Sequence, residues 1–302
     1  MFLTWVVRTR EPWELVRCVS DWLVWIRSSS QSTRLCVTAA AYLLAMARVC
    51  VFCGGGPVTR ELVYPRWLRD ALPSGDARFR ISDADGKPLW EQATFDIQAK
   101  VVCATCNNGW MSDLEAICGP LLTDPMLSGS KLTVGVAQQR AIALWAIKTA
   151  VVLEASRRDD VFKHLPEWHA RWMPRTRESG DRADPPPGIS VVMFGRQVDP
   201  ELEDSAYFTV SRSVGIAART PPHDSKGYVA TLLIGYVGFQ VFGVNLRAGG
   251  LPKIWYGPWV VERTIPLWPP AGIPVTWPPA LVMSTADALR FADLWATPET
   301  GR

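Results

Sequence analysis

The residues with the clearest chemical potential in this sequence are four cysteines arranged as two Cys-x-x-Cys pairs. They are Cys50, Cys53, Cys103 and Cys106. A two-residue gap lets both thiolates of a pair face one point, and two pairs complete the tetrahedral sulfur set that suits zinc. A single pair could instead be a redox motif. Two pairs, each beside turn residues (Gly54-Gly55-Gly56 and Asn107-Asn108-Gly109), favour a structural Zn²⁺ site.

The spacing of the pairs also predicts how the chain folds around them. The first pair forms a knuckle followed by extended chain, and the second pair opens a helix in which Ser112 and Glu115 form a capping-box pattern. We therefore expect an α+β protein with a treble-clef ββα zinc module over residues 46–122. Residues 123–302 would follow as an α+β region of unknown role, with a helix and antiparallel strands. A zinc unit of this size has little core, so the metal would supply much of its stability.

The bulk composition is that of an ordinary globular protein. Of 302 residues, 48% are hydrophobic and 20% charged, and the net charge is +3. This charge alone argues neither for nor against a polyanionic partner. The remaining cysteines, Cys18, Cys36 and Cys118, are expected to be small buried hydrophobes.

The start of the chain lacks the order of charge and then apolar residues that is typical of a signal peptide. The longest apolar run, from Leu35 to Ala47, is too short to span a bilayer. We therefore expect an intracellular, cytoplasmic protein, in which thiols stay reduced and bind metal. Residues 1–45 leave two hypotheses open. They form an extension of two short helices, around 11–27 and 33–47, or the natural start is Met46.

Beyond the cysteine motifs, periodicity and turn residues predict several elements. Residues 137–157 form a buried helix, and 173–188 form an exposed loop. A helix begins at Ser284, capped by Ser284 with Asp287. Six prolines exclude a regular element over 265–279. The predicted strands are Ile189–Phe194, Ala206–Arg212, Tyr228–Tyr236 and Phe239–Leu246, the last two joined by a tight turn at Val237-Gly238.

The stretches CVFCGGGPVTRELVYPRWL and VVCATCNNGWMSDLE resemble bacterial HNH endonuclease-like proteins, which have a zinc-stapled ββα-metal core. The resemblance covers roughly residues 48–122. It implies metal-dependent hydrolysis of phosphodiesters in DNA or RNA. Carried over by position, Glu61 is the acidic ligand and Asn107 the second ligand of a catalytic Mg²⁺ or Mn²⁺ ion.

The sequence departs from this family at one decisive position. Leu62 stands where the family has the histidine that acts as general base, and leucine cannot accept a proton. Loss of a positioned base typically costs about 10²–10⁴-fold in rate. The three histidines of the chain, His164, His169 and His223, lie outside the motif and are expected on the surface, His223 in a turn.

An alternative function is a non-catalytic zinc module that binds nucleic acid or protein. Between Arg48 and Cys118, eight Lys/Arg residues oppose nine Asp/Glu residues, which gives a net charge of −1. Because affinity for nucleic acid depends on phosphate neutralisation, binding would require the arginines of this region to gather on one face. Nothing in the sequence specifies an oligomeric state.

Overall fold

The computed structural model describes residues 49–71, 79–82, 88–92, 98–156, 167–175, 184–198, 212–220, 223–244 and 257–293. All of these belong to one unit, Arg48–Arg302. Several predictions lie outside the described residues: both hypotheses for residues 1–45, the burial of Cys18 and Cys36, the position of His164, and most of the strand Ala206–Arg212. The described residues form an α+β structure with antiparallel sheets, as predicted.

The cysteine region is built on short strands. Strand β1 (Val58–Leu62) pairs antiparallel with β4 (Gln98–Cys103), and helix α1 (Arg66–Ala71) follows β1. Strands β2 (Phe79–Ser82) and β3 (Pro88–Gln92) form a second antiparallel pair. The β1–β4 register places Val58 opposite Cys103, so this ladder fixes where the second cysteine pair begins.

The second cysteine pair opens a helix, as predicted. Helix α2 (Ala104–Cys106) begins directly after β4. A π-helical segment, Asn107–Met111, connects it to α3 (Ser112–Ser128) and is kinked at Gly109, where φ is −98° and ψ is −117°. The capping box predicted at Ser112 and Glu115 is wrong. The preceding residue is already helical and makes no side-chain cap, and Glu115 instead accepts a hydrogen bond from Lys148.

Helix α4 (Val136–Ser156) lies at the centre of the structure and confirms the helix predicted over 137–157. Fourteen of its residues are buried, so it has no continuous solvent face. Strand β5 (Leu132–Val134) precedes it and pairs with β11 (Val275–Trp277).

A five-stranded antiparallel sheet covers one side of α4. Its strands are β6 (Ile189–Gly195), β7 (Arg212–Thr220), β8 (His223–Ile234), β9 (Val237–Val244) and β10 (Thr264–Trp268), in the order β10-β6-β9-β8-β7. The predicted hairpin is confirmed, but its turn lies at Gly235-Tyr236 instead of Val237-Gly238, because Ile234 pairs with Val237. The prediction that His223 lies in a turn is wrong, because His223 begins β8 and pairs with Thr220 of β7.

The prediction that residues 265–279 contain no regular element is wrong, since β10 and β11 lie there. Proline lacks the N–H that an inner strand must donate, but an edge strand tolerates it. Strand β10 is such an edge, and its pairing with β6 shifts register between Pro266 and Trp268.

Three further helices complete the described chain: α5 (Glu167–Arg175), α6 (Pro258–Val261) and α7 (Thr285–Asp293). The prediction of an exposed loop over residues 173–188 is wrong at both ends. Helix α5 runs to Arg175 and buries Met173, and Pro185, Pro186 and Gly188 are buried; residues 176–183 lie outside the described residues. The predicted cap at Ser284 is confirmed. Asp287 N donates to Ser284 Oγ at 3.0 Å, and Ser284 Oγ lies 2.8 Å from Asp287 Oδ2.

One hydrophobic core joins the cysteine region to the rest of the described chain. Its buried side chains range in sequence from Cys50 to Trp277. Residues of the predicted zinc module, up to residue 122, and residues of the later chain therefore share this core. At its centre Trp145 of α4 contacts Trp67, with ring centroids 6.1 Å apart, and Phe239 of β9 at 5.6 Å. None of the described helices combines the length and apolar composition needed to cross a membrane.

The turn at Gly235 yields a stability prediction with a matched control. Gly235 has φ of 55°, and a Cβ atom there would collide with the carbonyl oxygen of Met126. Gly272 has φ of 76° but open space around it. We expect Gly272→Ala to lower the free energy of unfolding by about 1 kcal/mol through left-handed strain, and Gly235→Ala by about 3 kcal/mol. Urea denaturation measures both; equal losses would contradict the contact with Met126.

Candidate metal centre

The first cysteine pair lies on a tight turn between residues 50 and 55. Cys50 N donates to Gly55 O at 2.7 Å, and Gly54 N donates to Cys50 O at 2.9 Å. Gly54 has φ of 77°, a left-handed conformation that glycine adopts without steric cost. Gly55 N lies 3.3 Å from Cys53 Sγ, so the same turn presents an N–H group to the sulfur.

The second pair reaches this turn from the end of β4. Cys103 is the last residue of β4, and Cys106 is the last residue of α2. A hydrogen bond of 2.8 Å from Val51 N to Val101 O ties the turn to β4. A strand end and the first helical turn after it therefore deliver both thiols to the turn.

The structure brings the four predicted cysteines together. Their Sγ atoms all lie within 4.8 Å of one another, and Cys53 Sγ and Cys103 Sγ are 3.5 Å apart. Tetrahedral zinc with Zn–S bonds of about 2.3 Å implies sulfur separations of about 3.8 Å. All four are free thiols rather than disulfides. The cluster could therefore hold a metal ion such as zinc.

The surroundings of the thiols differ. Burial raises the pKa of Cys50, but backbone N–H groups of Cys53, Cys103 and Phe52 outweigh it and bring the pKa to about 7. Burial raises the pKa of Cys53, and it raises that of Cys106 far above the usual range. A bound cation would supply the positive charge that keeps all four sulfurs as thiolates.

Arg171 of α5 also contacts the cysteine turn, and no sequence signal pointed to it. Its Nη1 donates to Cys50 O at 3.2 Å, and its Nη2 lies 2.7 Å from Glu167 Oε1. A Cβ atom at Gly54 would collide with this guanidinium. A residue far along the chain thus positions the knuckle and places a positive charge beside the thiols.

The residues matched to a catalytic metal lie in different surroundings. Glu61 is in β1 and only 8% exposed, and Leu62 beside it is half-buried. Asn107 is half-buried, follows Cys106 directly and begins the π-helical segment. Asn107 is therefore placed at the cysteine cluster, while Glu61 belongs to a group of charged side chains.

That group consists of Glu61, Glu115 of α3 and Lys148 of α4. Lys148 is fully buried, and its Nζ donates to Glu115 Oε1 at 2.7 Å. Burial raises the pKa of Glu61 to about 7; Lys148 and Arg66 oppose this shift, and Glu115 adds to it. Sequence reasoning missed Lys148, although a lysine within a helix that is apolar on most sides was a usable signal.

Cys118, next to this group, is fully buried, as predicted. Burial raises the pKa of its thiol to about 12. The thiol is thus inert and takes no part in the metal cluster.

The prediction that His169 lies on the surface is wrong. Its side chain is fully buried, and Nδ1 lies 3.3 Å from the hydroxyl of Tyr228 in β8. Burial lowers the pKa of His169 to about 4. The reason is that α5 packs its inner face into the core, where Trp168 and Tyr228 contact the imidazole.

Comparisons with known proteins add no family assignment. No family model matches the chain, and neither curated proteins nor solved structures gave a match.

The cysteine cluster predicts the metal content of the protein. We expect a single zinc ion per chain, which Cys103→Ser loses on dialysis because three thiolates no longer complete the site. Cys118→Ser, the matched control, should retain zinc although it removes a buried thiol nearby. Metal analysis by plasma emission spectrometry measures both, and folded wild-type protein without metal would contradict the assignment.

The burial of Glu61 predicts a pH dependence of stability. Its pKa is about 7 in the folded protein and 4.5 in the unfolded reference, so its carboxyl disfavours folding increasingly as pH rises from 4.5 to 7. Glu61→Gln should therefore match wild type near pH 4.5 and exceed its unfolding free energy by about 3 kcal/mol at pH 8. The cysteine cluster is common to both proteins, so its own pH dependence cancels in the difference. A constant difference across this range would contradict the assignment.

Proposed function

We propose that this chain is an HNH endonuclease-like zinc protein that acts on nucleic acid by binding it, and whose phosphodiester-hydrolysing site is catalytically impaired. The β1–β4 ladder and the helix from Ala104 would form its treble-clef ββα unit, with Zn²⁺ on the four thiolates. The proximity of the four sulfurs supports the zinc assignment. The motifs shared with HNH-like proteins support the ancestry, and the cysteines themselves do no chemistry.

The observation that carries the impairment is the burial of Glu61. An acidic ligand of a catalytic Mg²⁺ or Mn²⁺ must share the ion with several waters. Glu61 is 8% exposed and lies in the field of Lys148. Leu62, at the general-base position, cannot take a proton from the attacking water. Hydrolysis needs a carboxylate that can hold a hydrated metal ion and a base that can accept a proton. Glu61 is poorly placed for the first role, and Leu62 next to it cannot perform the second.

Exposed cations on the β1–β4 ladder support binding of DNA or RNA. Arg60 and Lys100 are both exposed, while their neighbours Glu61 and Ala99 are buried. Both cations lie where the register of the ladder shifts, and both are open to solvent. Arg66 is also exposed at the start of α1. These positive side chains could neutralise backbone phosphates although the module as a whole carries little net charge.

We expect wild-type protein to bind a DNA or RNA duplex and to leave plasmid intact with Mg²⁺ or Mn²⁺. Arg60→Ala and Lys100→Ala should each reduce the salt dependence of binding, lowering the slope of log K against log salt by about 1. Lys131→Ala removes an exposed cation outside the ladder and should leave the slope unchanged. Fluorescence anisotropy at several salt concentrations and agarose gels provide the readouts.

Two results would count against the proposal. Cleavage by wild type that Glu61→Ala abolishes would show an active nuclease. Absence of binding to both DNA and RNA would leave the alternative of a zinc module for protein interaction.

A further inference from the structure

A cavity of about 240 Å³ lies at one end of the five-stranded sheet. Its walls come from the end of β6, the turn between β8 and β9, the C-terminal end of α3 and the segment that follows β11. Gly195, Arg196 and Trp277 in these walls are buried, whereas Ser128 and Gln197 are exposed. The cavity therefore has a buried interior and opens to solvent beside Ser128 and Gln197.

Main-chain contacts hold these walls in place. Arg196 N donates to Tyr236 O at 2.8 Å, which ties the end of β6 to the turn between β8 and β9. Met283 N donates to Gly195 O at 2.9 Å, which ties the segment after β11 to β6. A Cβ atom at Gly195 would lie 2.8 Å from the side chain of Val282, so glycine permits this close approach. The cavity is thus formed by the fold itself.

Two buried hydrogen-bond donors lie in the walls. Arg196 is only 3% exposed, and its Nε donates to Gly235 O at 2.9 Å, which fixes the plane of the guanidinium. Burial lowers the pKa of Arg196, so an anion beside it would stabilise its charged form. Trp277 is only 1% exposed, and its indole Nε1 is buried without a hydrogen-bond partner among the described residues. A buried N–H of this kind favours a ligand that brings an acceptor.

The chemistry of the walls selects the kind of acceptor. None of the described residues that line the cavity is acidic, and Tyr236, Pro278 and Val282 give it apolar surface. A guanidinium pairs best with a carboxylate or a phosphate. Apolar walls favour a carboxylate on an apolar body, because a fully hydrated anion would lose water there without replacement. The cavity is smaller than the roughly 300–1,000 Å³ of sites for drug-sized molecules, so its ligand is small.

We propose that this cavity binds a small organic carboxylate, with the carboxylate at the Arg196 guanidinium and the Trp277 indole N–H and the apolar part against Tyr236 and Pro278. None of the lining residues belongs to the cysteine cluster or to the exposed cations of the β1–β4 ladder. The site is therefore a ligand site beyond the proposed function and independent of it.

Isothermal titration calorimetry of the zinc-loaded full chain tests this, with benzoate as the probe. We expect wild type to bind one benzoate with a Kd of about 1 mM or tighter. Benzamide has nearly the same shape without the charge and should bind at least about 10-fold more weakly. Trp277→Phe keeps an aromatic ring but removes the N–H, and it should weaken benzoate binding about 10-fold. Trp268→Phe is the matched control and should bind as wild type, because Trp268 Nε1 is also buried without a partner among the described residues but does not line the cavity.

Two further variants localise the site. Arg196→Gln should weaken benzoate binding by at least about 10-fold. Val282→Trp fills the cavity and should abolish binding; since Val282 is only half-buried, this variant keeps the test decisive if Arg196→Gln does not fold.

Three results would overturn the inference. They are absence of benzoate binding by wild type, binding that folded Val282→Trp leaves unchanged, and equal affinity for benzoate and benzamide. Each can occur whether or not the protein binds zinc and nucleic acid, so failure here is distinguishable from failure of the proposed function.

Discussion

The convergence of four thiols within 4.8 Å is the constraint on which the cysteine region depends. It joins the turn at Cys50–Gly55 to the continuous segment formed by the end of β4 and the first turn of the helix that follows. The β1–β4 ladder is only a few residue pairs long, and its register already shifts between Thr59 and Glu61. A metal ion on the four sulfurs would tie the cysteine turn to the end of β4 and to the helix that follows.

The cysteine region is nevertheless packed into the rest of the described chain. Helix α4 contacts β4 and α3 on one side and the five-stranded sheet on the other. Arg171 of α5 donates to the carbonyl of Cys50, so the knuckle is held from outside by a charged side chain as well as from within by the thiols. The buried pair of Lys148 and Glu115 adds a third link, between α4 and α3. These contacts explain why one core spans both regions that the sequence suggested.

Features with a local cause were predictable from the sequence. The Cys-x-x-Cys spacing, the apolar helix α4 and the cap at Ser284 are each decided by residues a few positions apart. Features decided by distant packing were not. His169 is polar in type but buried by the docking of α5, and Pro266 is tolerated because β10 happens to be a sheet edge. The capping pattern at Ser112 failed because Met111, the residue before it, is already helical.

The same distinction applies to the candidate site. The spacing of the four cysteines predicted that they meet, whereas the charged residues that act on Glu61 come from α3 and α4 and carry no motif. The central claim is that four thiolates bind one zinc ion and hold the module. X-ray absorption at the zinc edge of purified protein tests it most directly. We expect four sulfur neighbours at about 2.3 Å from the zinc ion and no nitrogen or oxygen ligand; two or three sulfurs completed by lighter atoms would contradict this assignment.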